Sequence, residues 1–173
     1  MTLRHGSEGE ALFDMKDEEI ERVFRVEQIP ANTEKYPSEK VVQGYLVINE
    51  AGAEIRLRKK GDRYFQTFKG SGDLQRQELE IELTSDQFHR LWPATVGQRI
   101  EKIRYQIDDR GRKIELDLFK GDLEGLALAE VEFTSQVESE AFDPPDWFAE
   151  EVTYDVRYKN QNLARKGAPQ QGS

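Results

Sequence analysis

Apolar and charged side chains alternate along this chain in short runs. Glu19-Ile20-Glu21, Arg56-Leu57-Arg58, Arg76-Gln77-Glu78-Leu79-Glu80-Ile81-Glu82, Lys102-Ile103-Arg104, Glu115-Leu116-Asp117 and Glu130-Val131-Glu132 nearly all carry charge on every second position. Successive side chains of a strand point to opposite faces, so each run has one charged and one apolar face. The pattern predicts strands over 19–26, 41–49, 53–60, 63–70, 75–84, 101–108, 112–119 and 126–133. Gly61-Asp62 makes a tight hairpin between the third and fourth. Asp108-Asp109-Arg110-Gly111 and Gly121-Asp122-Leu123-Glu124-Gly125 turn the chain on either side of the seventh.

Helical signals are few. Thr84 or Ser85 can cap a short helix through Trp92, with Phe88, Leu91 and Trp92 facing inward. Ser135 opens a second, stopped by Pro144-Pro145, and Asn160 to Ala164 forms a last turn. The expected fold is therefore dominated by β structure. It is an eight-stranded antiparallel sheet, wide enough to close into a barrel, under a few short helices. Residues 1–17 read as a loose extension, 18–164 as one domain and 165–173 as a fraying tail.

Composition narrows the chemistry. Charged residues are 34% of the chain and hydrophobic ones 36%, against about 25% charged in an average domain. The excess sits inside the periodic runs, which argues against disorder. Net charge is −9, so nucleic acid, which needs a basic footprint, is a poor partner. A small anion is not excluded, because a local cationic cluster can sit on an acidic protein. Without cysteine and with only His5 and His89 as imidazoles, any metal must be held mainly by oxygen. That favours Mg²⁺, Mn²⁺ or Ca²⁺ over zinc. No apolar run reaches the ~18 residues of a membrane span, and no signal-peptide pattern opens the chain. The expected location is cytoplasmic.

Taken strand by strand, the charged face would be the wet side of a half-buried sheet. The row Glu78, Glu80, Glu82 speaks against that for the set, since stacked like charges need something positive opposite them. If the sheet closes, the charged faces converge on a lumen. A membrane β-barrel also alternates apolar-out and polar-in, but the strands are short and Arg22 and Gln77 interrupt the outward rows.

Read in order, these segments resemble the CYTH, or triphosphate tunnel metalloenzyme, family. Glu19-Ile20-Glu21-Arg22-Val23-Phe24 is similar to its opening E-x-E-x-K strand, and Gln43-Gly44-Tyr45-Leu46 to its second strand. Glu54-Ile55-Arg56-Leu57-Arg58 resembles the R-x-R strand and Thr67-Phe68-Lys69-Gly70 the T-x-K-G segment. Arg76-Gln77-Glu78-Leu79-Glu80, Lys102-Ile103-Arg104-Tyr105, Glu115-Leu116-Asp117 and Ala129-Glu130-Val131-Glu132 follow in order. Trp147, Glu151-Val152-Thr153, Tyr158, Asn160 and Leu163-Ala164 match the closing segment, so the resemblance runs from about residue 19 to 164.

The resemblance implies an eight-stranded antiparallel closed β-barrel, a tunnel, that acts on triphosphates with Mg²⁺ or Mn²⁺. Tripolyphosphate is the expected substrate, with ATP and thiamine triphosphate as further candidates for a monomer or homodimer. Arg25, Arg56, Arg58, Lys69, Arg76, Lys102 and Arg104 are the expected phosphate ligands, arginine binding bidentately. Glu19, Glu21, Glu78, Glu80, Asp117, Glu130 and Glu132 are the expected metal carboxylates. Lys102 and Glu132 are the expected catalytic pair, Lys102 through the attacking water. One residue departs from the motif: Val23 stands where the family has lysine. Arg25 lies two residues on and shares its face, about 6–7 Å along the strand. Two alternatives stay open: a class IV-type adenylate cyclase, or a polyphosphate-binding module with weakened turnover.

Overall fold

The computed structural model describes residues 20–71 and 78–170. Its strands are β1 (Ile20–Arg25), β2 (Ser38–Ile48), β3 (Glu54–Lys60), β4 (Arg63–Lys69), β5 (Glu78–Leu83), β6 (Arg99–Asp109), β7 (Arg112–Phe119) and β8 (Ala127–Phe133). Its helices are α1 (Ser85–Leu91), α2 (Gln136–Glu140) and α3 (Asn160–Lys166). The local signals act as expected. Gly61 takes φ +57° in the two-residue turn joining β3 to β4. Thr84, rather than Ser85, caps α1: its Oγ accepts from the Gln87 N–H, and Gln87 Oε1 accepts from the Thr84 N–H. Ser135 caps α2 by accepting from the Glu138 N–H.

All eight strands form one antiparallel sheet in the order β1-β8-β7-β6-β2-β3-β4-β5. The expected closed barrel is corrected: among the described residues β1 and β5 do not pair, and the sheet stays open. The second edge of β1 is already taken. Arg25 N–H donates to the Glu150 carbonyl, Ala149 N–H to the Arg25 carbonyl and Val152 N–H to the Val23 carbonyl. The closing segment thus occupies the hydrogen-bonding edge that β5 would need. The sheet nevertheless bends round, since residues of β1 and β8 line the same cavity as residues of β3 and β4.

Two apolar clusters sit on opposite faces. On the outer face, Ile114, Leu116, Ala129, Val131 and Phe133 pack beneath Phe142, Trp147 and Phe148. On the inner, charged face, Ile100, Phe119 and Leu128 pack with Val152 and Leu163. The inner cluster seals one end of the trough, because the last segment of the chain folds over it. Among the described residues no helix is long and apolar enough to cross a membrane.

Candidate functional site

Residues directly opposite in an antiparallel pair share a face, so the register decides which side chains meet. Tyr45 faces Arg56, Gln43 faces Arg58, Arg56 faces Thr67, Thr67 faces Glu80 and Lys69 lies between Glu54 and Glu78. These make the basic wall of the trough. Arg58 donates to Glu80 at 3.2 Å, Thr67 Oγ1 donates to the same carboxylate at 2.7 Å, and Lys69 pairs with Glu78 at 3.3 Å. Burial would raise the Glu80 carboxyl, but the Thr67 bond and the charge of Arg58 outweigh it and hold it low. Burial, then repulsion from Arg56, pulls the Arg58 guanidinium below its ordinary value. The Nε atoms of both Arg56 and Arg58 are buried without a hydrogen-bond partner.

The opposite wall is acidic. Asp117 on β7 is wholly buried and faces Arg104 on β6. Arg104 Nε and Nη2 donate to its two oxygens, each at 2.7 Å, and Lys102 Nζ also donates to it. The same guanidinium donates to Glu130 at 2.6 Å and to Glu115. Burial opposes ionisation of Asp117, but Lys102 and Arg104 overcome it and hold the carboxyl below the usual range. Burial likewise opposes the charge on Arg104, and the hydrogen bond to Asp117 with the charges of Glu130 and Glu115 raises its pKa instead. Glu115 faces Glu130 across β7–β8, and Glu21 faces Glu132 across β1–β8.

Between the walls lies a cavity of ≈ 220 Å³. Glu21, Val23 and Glu130 line one side, and Tyr45, Glu54, Arg56 and Lys69 the other. The closing segment adds Thr153, Asp155 and Lys159. Tyr45 is buried and its Oη accepts from Gln43 Nε2 at 2.8 Å. Burial, reinforced by the charge of Glu54, pushes this phenol up.

The structure brings most of the expected residues to one face, but only Glu21, Arg56, Lys69 and Glu130 line the cavity itself; Arg58, Glu78, Glu80, Arg104, Asp117 and Glu132 lie on the same face outside its lining. Arg25 shares Val23's face, yet its guanidinium lies 3.4 Å from both Glu27 and Glu150. Val23 lines the cavity and also packs against the inner apolar cluster. Lys102, 2% exposed, sits behind the wall on Asp117 and over the Phe119 ring. Glu19 and Arg76 lie outside the described residues. Glu54, Thr67 and Glu115 were missed as site residues. Parity could have found them, for each lies two positions from an expected one: Arg56, Lys69 and Asp117. His89 bonds Ser85 on α1, away from the cavity.

No three acidic or imidazole groups among the described residues form a ready cation cage. The donor set still suits a hard cation. Glu21, Glu132 and Glu130 are neighbouring carboxylates on β1 and β8, and Mg²⁺ is usually bound by one or two carboxylates together with substrate phosphates.

No family model matches the chain. It is similar to an inorganic triphosphatase of Nitrosomonas europaea, 49% identical over 148 residues that cover 84% of this chain and 96% of that protein. An inorganic triphosphatase of Acetivibrio thermocellus is 35% identical over 125 residues, covering 71% of this chain and 78% of that one. A crystal structure of an inorganic triphosphatase superposes with a TM-score of 0.72 at 45% identity, covering 87% of this chain and 97% of the other.

Proposed function

This chain belongs to the CYTH family, beside its inorganic triphosphatases, and we propose that it hydrolyses inorganic tripolyphosphate with Mg²⁺ or Mn²⁺. The observation that carries this reading is the pair of buried, unpartnered Nε donors on Arg56 and Arg58. An unpaired buried donor costs stability, and phosphate oxygens on this wall supply the missing acceptors. Lys69 adds a point charge beside them.

The cavity size supports an inorganic substrate. Sites for drug-sized ligands span about 300–1,000 Å³, whereas this one is ≈ 220 Å³ and is sealed at one end by Val152 and Leu163. Its lining is charged and polar, with Arg56, Lys69, Glu21, Glu54 and Glu130 and no aromatic platform beyond Tyr45 and Tyr158, which suits a phosphate chain, and the related triphosphatases set the adenylate cyclase alternative behind.

Glu21, Glu130 and Glu132 would hold the cation. A bound divalent ion polarises phosphoryl oxygens and shields their charge. The chain's own part is positioning and charge neutralisation, which dominate phosphoryl transfer. Arg56, Arg58 and Lys69 orient the chain of phosphates. Lys102 is buried on Asp117 and fixes that carboxylate, so its part is to position Arg104 through Asp117. We further place the protein in the cytoplasm, as a monomer or homodimer.

The test is phosphate release from tripolyphosphate, ATP, thiamine triphosphate and pyrophosphate, with Mg²⁺ and Mn²⁺ compared. Metal-dependent release, fastest from tripolyphosphate, is expected. Tight binding without release would make this a binding module, and cyclic AMP from ATP would make it a cyclase.

A further inference from the structure

The acidic wall has an unusual arrangement of partners. One guanidinium, that of Arg104, is hydrogen-bonded to three carboxylates from two strands: Asp117, Glu115 and Glu130. Asp117 is also held by Lys102 and stays paired without Arg104. Glu115 and Glu130 are different. They face each other as direct partners across β7–β8, and like charges so placed repel. Arg104 lies between them and removes that repulsion.

Resting on the functional reading above, we propose that Arg104 couples cation binding to triphosphate binding at this site. In the resting protein its guanidinium stands where a cation would stand, as the counter-ion of Glu130 and Glu115. Phosphate oxygens compete with those carboxylates for the same donors, since arginine binds phosphate and carboxylate in the same bidentate way. When a triphosphate takes them, Glu130 loses its counter-ion and becomes a ligand for a divalent ion, while Glu115 keeps Lys113 at 3.4 Å. The cation in turn neutralises Glu130 and frees Arg104 for phosphate. Each ligand therefore favours the other, and by linkage the two enhancements are equal.

The placement of the basic wall fits this exchange. Arg58 feels the charge of Arg104, so a phosphate chain on Arg58 bears on this guanidinium too.

The experiment measures Mn²⁺ affinity by electron paramagnetic resonance, with and without imidotriphosphate, corrected for chelation of Mn²⁺ by the analogue alone. Wild-type protein, Arg104→Met and Arg104→Lys are compared. In wild type, Mn²⁺ binding is expected to be weak alone and to tighten about tenfold or more with the analogue, within the usual range of coupling between sites. Arg104→Met is expected to bind Mn²⁺ more tightly than wild type without the analogue and to lose most of the enhancement. Arg104→Lys keeps the charge but not the fork, and is expected to fall between; it also serves if the methionine variant fails to fold. Equal Mn²⁺ affinities in all three proteins without analogue, or an enhancement unchanged by the substitutions, would overturn the coupling. If wild type also hydrolyses tripolyphosphate, the functional reading survives that failure. If it neither binds the analogue nor releases phosphate, both fall.

Discussion

Val23 on β1 faces Glu130 on β8, and the same valine packs against the apolar cluster formed by the closing segment. The lysine of the family motif is thus replaced by a side chain that belongs half to the cavity and half to its plug. Arg25 shares the face but is turned to Glu27 and Glu150.

Val23→Lys is expected to raise triphosphate affinity about tenfold, since a hydrogen bond to a charged group contributes roughly 1.5–3 kcal/mol. Arg25→Leu is expected to leave turnover nearly unchanged, because its partners lie outside the cavity. Titration of tripolyphosphate into both variants checks this. A large loss with Arg25→Leu would show that this arginine does the lysine's work.

Removing Asp117 should test stability. Asp117→Ala leaves Lys102 buried without its carboxylate, and breaking a buried pair costs about 3–5 kcal/mol. The folded-state pKa of Asp117 lies below its unfolded value. Its contribution is therefore complete above the unfolded value of about 3.9 and is lost as pH falls through the folded one. Denaturant unfolding should show the variant weaker at neutral pH and the gap closing in acid. A constant gap down to low pH would mean that Asp117 is not ionised in the fold.

Gly44→Ala is expected to destabilise the protein by about 1–3 kcal/mol through overpacking. A Cβ there would stand 2.6 Å from Thr95 Cβ and Oγ1 and 3.0 Å from the Trp92 ring. Thr95 is wholly buried and donates to the Trp92 carbonyl, so it has nowhere to move. A thermal midpoint equal to wild type would show that the helical turn over β2 yields freely.

Two substitutions separate the walls. Arg58→Leu is expected to lower kcat about 10²–10³-fold, the usual loss when a donor that stabilises developing charge is removed. Glu132→Gln is expected to abolish metal-dependent turnover while the fold persists, because one carboxylate of a like-charged row is relieved. Full Mg²⁺-dependent activity in Glu132→Gln would remove β8 from the cation site.

Much of this protein was legible from local chemistry. Alternation alone put Arg56, Arg58, Lys102, Arg104, Glu130 and Glu132 on charged faces of strands, and the register confirms that they share one face of the sheet. Thr84, Ser135 and the turn at Gly61 mark their elements because capping and left-handed backbone act within a few residues. Parity says which face a side chain takes, but not which distant strand lies beside it. Only the tertiary structure decided that residues 149–152, rather than β5, take the edge of β1, so that the sheet stays open. The same long-range choice folds Val152 and Leu163 over the inner face and gives Val23 apolar neighbours. It also brings Glu115, Asp117 and Glu130 around Arg104. Such competition for one edge and one guanidinium is settled by contacts between residues far apart in the chain, Arg25 with Glu150 and Arg104 with Glu130, which no local pattern carries.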